Sequence, residues 1–263
     1  MYLRITAACL LAALSVLADA QTDTQVNRTD EKGKKQGPWI RKYPNGNIQY
    51  EGYFRDDHPV GEFKRYLEDN TLWALLVYSD DGREALATMF HPNGYVASRG
   101  KYVDQKKEGK WYFFSYRIEN YRFNEEEYSA NLKNGISIKY YPDSTIAEKI
   151  SYLNDVKHGE WVLYRESGAL MLRTSYVNGR LDGRYEAFFE NGNPEFTGEY
   201  KNDLKEGLWH IYKEDGSVRF RIDYFAGTPK NRDLDIYETE YIDAVEAKYK
   251  GKIPDPERTG NVW

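Results

Sequence analysis

Cysteine is nearly absent from this chain: of 263 residues only Cys9 carries a thiol. It lies inside the apolar run Ile5 to Leu17, which follows the positively charged start Met1 to Arg4 and precedes Ala18-Asp19-Ala20, a small-x-small pattern of the kind a signal peptidase reads. Residues 1–20 are therefore expected to be an export signal, with the mature chain beginning at Gln21. Such a mature chain has no cysteine, which excludes disulfides and a thiol nucleophile. Long apolar runs are also missing. A spanning helix needs about 20 consecutive apolar residues, so no transmembrane helix is expected in the mature chain. Nor is there a large block of one charge sign within the net charge of −5. Nucleic-acid binders need a basic footprint for the phosphates, so that partner class is set aside.

Chemistry-bearing motifs are just as scarce. Glycine-rich phosphate loops and nucleophile elbows do not occur, and His58, His91, His158 and His210 stand without a partner at metal-ligand or triad spacing. The pairs Asp56-Asp57, Asp80-Asp81, Asn154-Asp155 and Asn202-Asp203 lack the alternation of a calcium loop and fit turns instead. A hydrolase would need carboxylates from separate repeats to meet on one face; Glu148, Glu195 and Glu199 are the candidates, placed by alternation at the surface, with nothing to pair them. No catalytic residue, cofactor or metal is expected, and the chain is read as a non-enzyme.

What the chain has in abundance is aromatic residues, 16% of the total, 24 of them Tyr. They recur. Glycines at Gly37, Gly61, Gly109, Gly135, Gly159, Gly183 and Gly207 are spaced by 24 residues, stretched once to 26, with Ala85 in the one vacant slot. Seven residues before each following anchor, or before where a ninth would fall, stands a ring: Phe54, Tyr78, Tyr102, Tyr128, Tyr152, Tyr176, Tyr200 and Tyr224. Filling all these slots by chance is an event on the order of one in a million, so the period is structural. Five residues after the anchor a second column reads Tyr66, Phe90, Phe114, Tyr140, Tyr164, Phe188 and Tyr212, broken only by Lys42.

Each period predicts one β-hairpin. Pro44-Asn45-Gly46, Pro92-Asn93-Gly94, Glu190-Asn191-Gly192 and Glu214-Asp215-Gly216 are turn sequences, because Asn or Asp followed by Gly accepts positive φ. Second strands alternate, as in Leu170, Leu172, Thr174 and Tyr176 against Met171, Arg173 and Ser175. Segments such as Asn154 to Gly159 turn the chain at the opposite edge, where the anchor glycine is expected at a φ that a side chain would forbid. Two residues after the anchor come Trp39, Phe63, Trp111, Trp161, Tyr185 and Trp209. Alternation sets them on the face opposite the second column, unless a bulge re-aims them; both arrangements remain open.

Units of the form Gly-x-Trp-x-x-Tyr, turn, apolar strand, Tyr, then Asn-Asp-x-x-x-Gly resemble MORN-repeat variants of the kind found in bacterial proteins described as YwqK-type antitoxin components. Trp161 to Tyr176 and Trp209 to Tyr224 match best, and the likeness covers roughly residues 33–227. It implies a single-layer β-hairpin array used for interaction. An antitoxin-like or immunity role is the looser implication, which an export signal does not favour.

The expected organisation is thus residues 1–20 as signal, 21–35 as a polar disordered segment, 36–227 as eight hairpin repeats, and 228–263 as a C-terminal helix and tail. Thr228-Pro229 would start that helix, with Leu234, Tyr237, Tyr241, Val245 and Tyr249 at helical spacing. Its expected role is to cap the last strand. The fold class is all-β: an elongated antiparallel sheet with a capping helix.

Function is expected to lie in binding. A protein-interaction scaffold at the cell envelope, periplasmic, outer-envelope associated or secreted, leads; glycan or cell-wall binding through exposed ring rows is the alternative. One strand breaks the outward polar pattern. Where other repeats carry Arg99 and Lys101, or Arg173 and Ser175, the second repeat carries Trp73, Leu75 and Val77. Alternation makes both sides of that strand apolar, marking these three as candidates for contact with a protein partner, with a second copy, or with a covering part of the same chain.

Overall fold

The computed structural model describes residues 25–230 together with Glu240, Tyr241, Ala244 and Ala247. The proposed export signal lies outside the described residues. Within them the chain forms one open antiparallel sheet of 19 strands, each pairing with its neighbour in sequence except that Arg180–Leu181 and Gly183–Phe188 both pair with Leu170–Val177. Eight hairpins run from Lys35–Lys42 with Ile48–Arg55 to Leu204–Tyr212 with Val218–Phe225.

Two turn types alternate along the edges. The tightest are the acidic and Asn pairs: Asp56 and Asp57, Asn154 and Asp155, and Asn202 and Asp203 all adopt positive φ, from 50° to 72°. Two successive left-handed residues make the two-residue turn whose twist matches a hairpin. The Asn-Gly segments form longer loops. In Tyr43 to Asn47 only Gly46 is left-handed, at 90°, and the loop closes by Tyr43 N–H donating to Asn47 O at 2.8 Å.

The turns also bind the repeats together. Asp57 Oδ1 accepts from Lys35 N–H at 2.9 Å, Asp155 Oδ1 from Lys133 N–H at 2.7 Å and Asp203 Oδ1 from Leu181 N–H at 2.7 Å. Along the other edge Tyr43 O–H donates to Tyr66 O at 2.9 Å and Tyr141 O–H to Tyr164 O at 2.8 Å. Each repeat therefore satisfies backbone groups of the next, which would otherwise be left unpaired at the loops.

The anchor glycines do adopt forbidden-side φ, from 64° at Gly61 to 126° at Gly135. They mark a bulge. Gly52 pairs with Phe63 but Tyr53 pairs with Val60, so Gly61 and Glu62 have no partner on the preceding strand. Ala85 tests the rule: its φ is ordinary, and the pairing of Leu72–Tyr78 with Glu84–Phe90 runs without a register shift. A second bulge falls before the ring five residues after the anchor, as where Ile211 pairs with Phe220 but Tyr212 with Val218.

Both faces consequently carry rings. The Trp column and the Tyr176 column share one face, which is the core: Trp111 and Trp209 are 1% and 2% exposed. The second column lies on the other face, where Tyr66 O–H donates to Glu51 Oε1 at 2.7 Å.

Size complementarity recurs on the core face. Gly52, Gly100 and Gly198 lie beneath Phe63, Trp111 and Trp209, so closely that a Cβ would fall 2.1 to 2.2 Å from each ring. At two other levels the lower residue is large and the upper one small, Leu76 against Ala87 and Glu126 against Ser137, whereas Ile150 beneath Trp161 puts two large side chains together. Matching a large group to a small one keeps the single layer at interior density. In five of the eight repeats a lysine two residues before the anchor, Lys35, Lys107, Lys133, Lys157 or Lys205, lies over the rings. Lys157 Nζ lies 4.9 Å from the Tyr176 ring centre, and Lys205 Nζ lies 5.3 and 5.2 Å from those of Trp209 and Tyr224.

Besides the single polar residues Ser98, Thr174 and Glu195, the buried polar groups on this face cluster at one place. Around Ser137 the core face carries Asn124, Glu126 and Glu148, all buried. Glu126 accepts from Tyr128 O–H and pairs with Lys133 Nζ at 2.5 Å. Glu148 accepts from Trp161 Nε1–H at 2.8 Å and pairs with Lys139 Nζ at 2.8 Å. One apolar cluster lies on either side of this seam, around Phe63 and Trp111 and around Trp209 and Leu172.

Both ends depart from expectation. Arg28–Thr29, inside the segment expected to be disordered, pairs with Lys35 and Gln36, while Asn27 Oδ1 accepts from Ile40 N–H at 2.8 Å. Thr228–Pro229, expected to open the helix, instead pairs with Tyr224 and Phe225 and closes the sheet. The proline is tolerated because an edge strand needs no ladder donor there. Helical residues are described only at Glu240, Tyr241, Ala244 and Ala247; the Tyr241 ring lies 6.3 Å from Phe220. Leu234, Tyr237, Val245 and Tyr249 lie outside the described residues, and a capping helix is not shown.

Candidate interaction surface

Among the described residues no group of His, Cys, Asp and Glu is arranged to hold a metal, and no helix is long and apolar enough to cross a membrane. Two of the three carboxylates expected at the surface are interior. Glu148 is 9% and Glu195 3% exposed, while Glu199 alone is in solvent. Glu195 is the bulged residue of its strand, and the second bulge turns it inward together with Phe196; Glu148 stands in the regular ladder at the position Leu172 and Phe196 hold in later repeats, which faces the core. The histidines are scattered; His91, buried in its turn, has Nε2 3.0 Å from Phe114 O.

The same bulge divides the three contact candidates of the second repeat. Arg65 pairs with Ala74 and Tyr66 with Leu72, so Trp73 is the bulged residue. It leaves the alternation and packs, half-buried, against the core cluster of Phe63, Ala74 and Leu76, with the Arg65 guanidinium 5.3 Å from its ring. Leu75 and Val77 remain on the outer face, paired with Lys64 and Glu62. Val77 is 47% exposed and faces Leu86, which is 63% exposed and which alternation had not singled out.

Leu86 borders a trough of about 730 Å³ over the third and fourth hairpins. Its lining carries Arg99, Lys101, Lys110 and Arg122, beside Tyr112 and Phe114, and no acidic residue. Two rows cross the strands here. One runs Val77, Leu86, Lys101, and the other Leu75, Thr88, Arg99, Tyr112. The first half of each is apolar or neutral and the second half is cationic or aromatic.

The cations are held by rings and by carboxylates at the rim. Arg122 is clasped between Tyr112 at 5.5 Å and Tyr140 at 4.6 Å. Glu125 lies 3.4 Å from both Lys110 and Arg122, and Glu84 3.6 Å from Lys101. Arg99 faces the Phe114 ring at 5.8 Å and has no carboxylate partner among the described residues. Half-exposed ion pairs of this kind contribute only about 0 to 1 kcal/mol, so a ligand can exchange them at little cost.

Burial pushes the Tyr66 hydroxyl up to about 12, helped by its hydrogen bond to Glu51. Tyr140, bonded to Glu125 at 3.1 Å, is raised for the same first reason. These phenols stay neutral across the physiological range and serve as donors.

A family model described as the MORN repeat variant matches residues 35–56, 133–154 and 181–202. No curated protein matches. Among solved structures, a crystal structure of TcdB2-TccC3-Cdc42 is similar at 12% identity, over 79% of this chain and 14% of that one, with a TM-score of 0.22. A Photorhabdus luminescens Tc holotoxin pore with a TccC3 mutation is similar at 10% identity, over 70% of this chain and 11% of that one, with a TM-score of 0.18. The chain thus spans only about an eighth of either structure's chain. It carries MORN-variant repeats at the three matched stretches, and the glycine anchors, ring columns and paired turns continue at the same period between them.

Proposed function

We propose that this chain is an exported, non-enzymatic repeat protein that binds a protein partner at the bacterial cell envelope through the outer face of its second to fourth hairpins. The observation that carries this reading is the exposed aliphatic pair Val77 and Leu86 abutting the trough. Apolar side chains held together on a rigid sheet, next to polar groups, are the composition of a binding patch rather than of a solvated face. Export rests on residues 1–20 as read above. The helix through Tyr241 is read as a cover for the last hairpin, since its ring meets Phe220 and Arg219 there.

The glycan alternative needs the Trp row in solvent, and that row is interior at Trp111 and Trp209. An immunity role, implied by the family resemblance alone, has no feature of the surface in its favour.

Crosslinking in intact cells tests the reading. The chain should be recovered from the envelope fraction beginning at Gln21, and a crosslinked partner band should vanish for Leu86→Asp while the variant melts normally. Retention in the cytoplasm would refute export; a band indifferent to Leu86 would refute the surface. A band at twice the chain's own mass would identify the partner as a second copy.

A further inference from the structure

We infer that the trough takes an acidic segment of the partner, with aliphatic residues seated on Val77 and Leu86 and carboxylates on Arg99, Lys101, Lys110 and Arg122. This rests on the protein-binding reading above and specifies the partner's chemistry.

The argument is one of complementarity. Neighbouring strands are about 4.8 Å apart, so Lys101, paired with Leu86, lies one strand from the exposed aliphatics. Arg99, paired with Thr88, lies in the next row of the same strand. An extended segment crossing these rows therefore meets an apolar floor first and a cationic one after. Four cationic side chains line the trough and no carboxylate does, while their counterions Glu84 and Glu125 lie outside the lining. Arg99 has no carboxylate partner among the described residues, which leaves its planar donors open to one.

Other anions fit less well. A polyphosphate chain has no apolar part and would leave Val77 and Leu86 bare. An acidic polysaccharide offers hydroxyls where the surface is aliphatic. Arg122 already fills the space between Tyr112 and Tyr140, so those rings cannot stack on a base or a sugar.

The probe is a labelled peptide of leucines followed by glutamates, titrated against the chain from Gln21 onward by fluorescence anisotropy. Binding should weaken steeply with salt, since exposed charge pairs are screened beyond about 10 Å at 0.1 M ionic strength. Arg99→Glu combined with Lys101→Glu should weaken it about tenfold or more, Leu86→Ser should weaken it several-fold, and Lys42→Glu in the first repeat should leave it unchanged. Thermal melts of each variant control for folding. Equal binding by the charge-reversed variant, tighter binding of polygalacturonate than of the peptide, or no binding of the peptide would overturn the inference. The envelope crosslink separates the two failures: a crosslink lost with Leu86→Asp but kept with the charge reversal leaves the protein-binding reading standing and removes the acidic partner.

Discussion

Gly198 lies directly beneath Trp209, where a Cβ would fall 2.1 Å from the indole, and the indole N–H donates to the very next carbonyl, Glu199 O, at 3.2 Å. Gly100 and Trp111 repeat the relationship, with the indole donating to Lys101 O at 3.2 Å. A ring laid flat over a glycine hides strand backbone from water while keeping its own polar atom bonded.

Gly198→Ala should therefore destabilise the protein by about 1 to 3 kcal/mol, the usual cost of overpacking. Because Gly198 has ordinary φ, the penalty is steric rather than conformational. Gly168→Ala, at a turn with φ of 80° and open space around it, separates the two causes. Denaturant melts of Gly198→Ala should be rescued in part by Trp209→Leu, which Gly168→Ala should not be.

Trp73→Asp should melt early, by about 3 kcal/mol or more, as for truncation of a large packed ring with a charge left behind. Leu86→Asp should not, since Leu86 is in solvent. Thermal melts of the pair distinguish a core residue from a contact residue on adjacent strands, and a normal melt for Trp73→Asp would return that ring to the outer face.

Alkaline pH should unfold the sheet. Tyr66 and Tyr176 are raised to about 12, chiefly by burial, and Tyr78, Tyr102 and Tyr152 are raised for the same reason. A folded pKa above the unfolded value of about 10 means the fold favours the neutral phenol. That contribution is fully present below pH 10 and is lost as pH rises toward 12. Tyrosinate absorbance and circular dichroism should change together in that window; ionisation of all tyrosines near 10 without loss of structure would show the rings to be solvated.

Removing one whole period, Gly159 to Asp182, should leave a protein that folds. The turn bonds that cross repeat boundaries recur at the same spacing, as with Asp155 to Lys133 and Asp203 to Leu181, so the cut ends meet equivalent backbone partners. Circular dichroism of an unfolded chain would show that the repeats are not interchangeable.

The period, the hairpins and the positive φ of the anchors were legible because they depend on spacing along the chain. Ala85 was visible as an exception, and the missing bulge is its physical meaning. The lysine two residues before the anchor recurs at Lys35, Lys107, Lys133, Lys157 and Lys205, with Pro59, Arg83 and Leu181 in the other slots, and could have been found by the same count. Strict alternation failed at Trp73, Met171 and Glu195 because a bulge turns two successive residues to one side, and nothing local announces it. The trough was hidden for a different reason. Leu86 meets Lys101, and Arg122 meets Tyr140, only through registers set by turns elsewhere.

The polar seam at Ser137 has its own consequence. In a stacked array, total stability approximates a sum of unit and neighbour-interface terms, and at this one interface rings give way to Glu126 with Lys133 and Glu148 with Lys139. The neighbour term there rests on charge and hydrogen bonding in place of ring packing. Since Arg122 of the trough is clasped by Tyr140 of the next hairpin, the trough straddles this boundary and its shape depends on the seam staying closed.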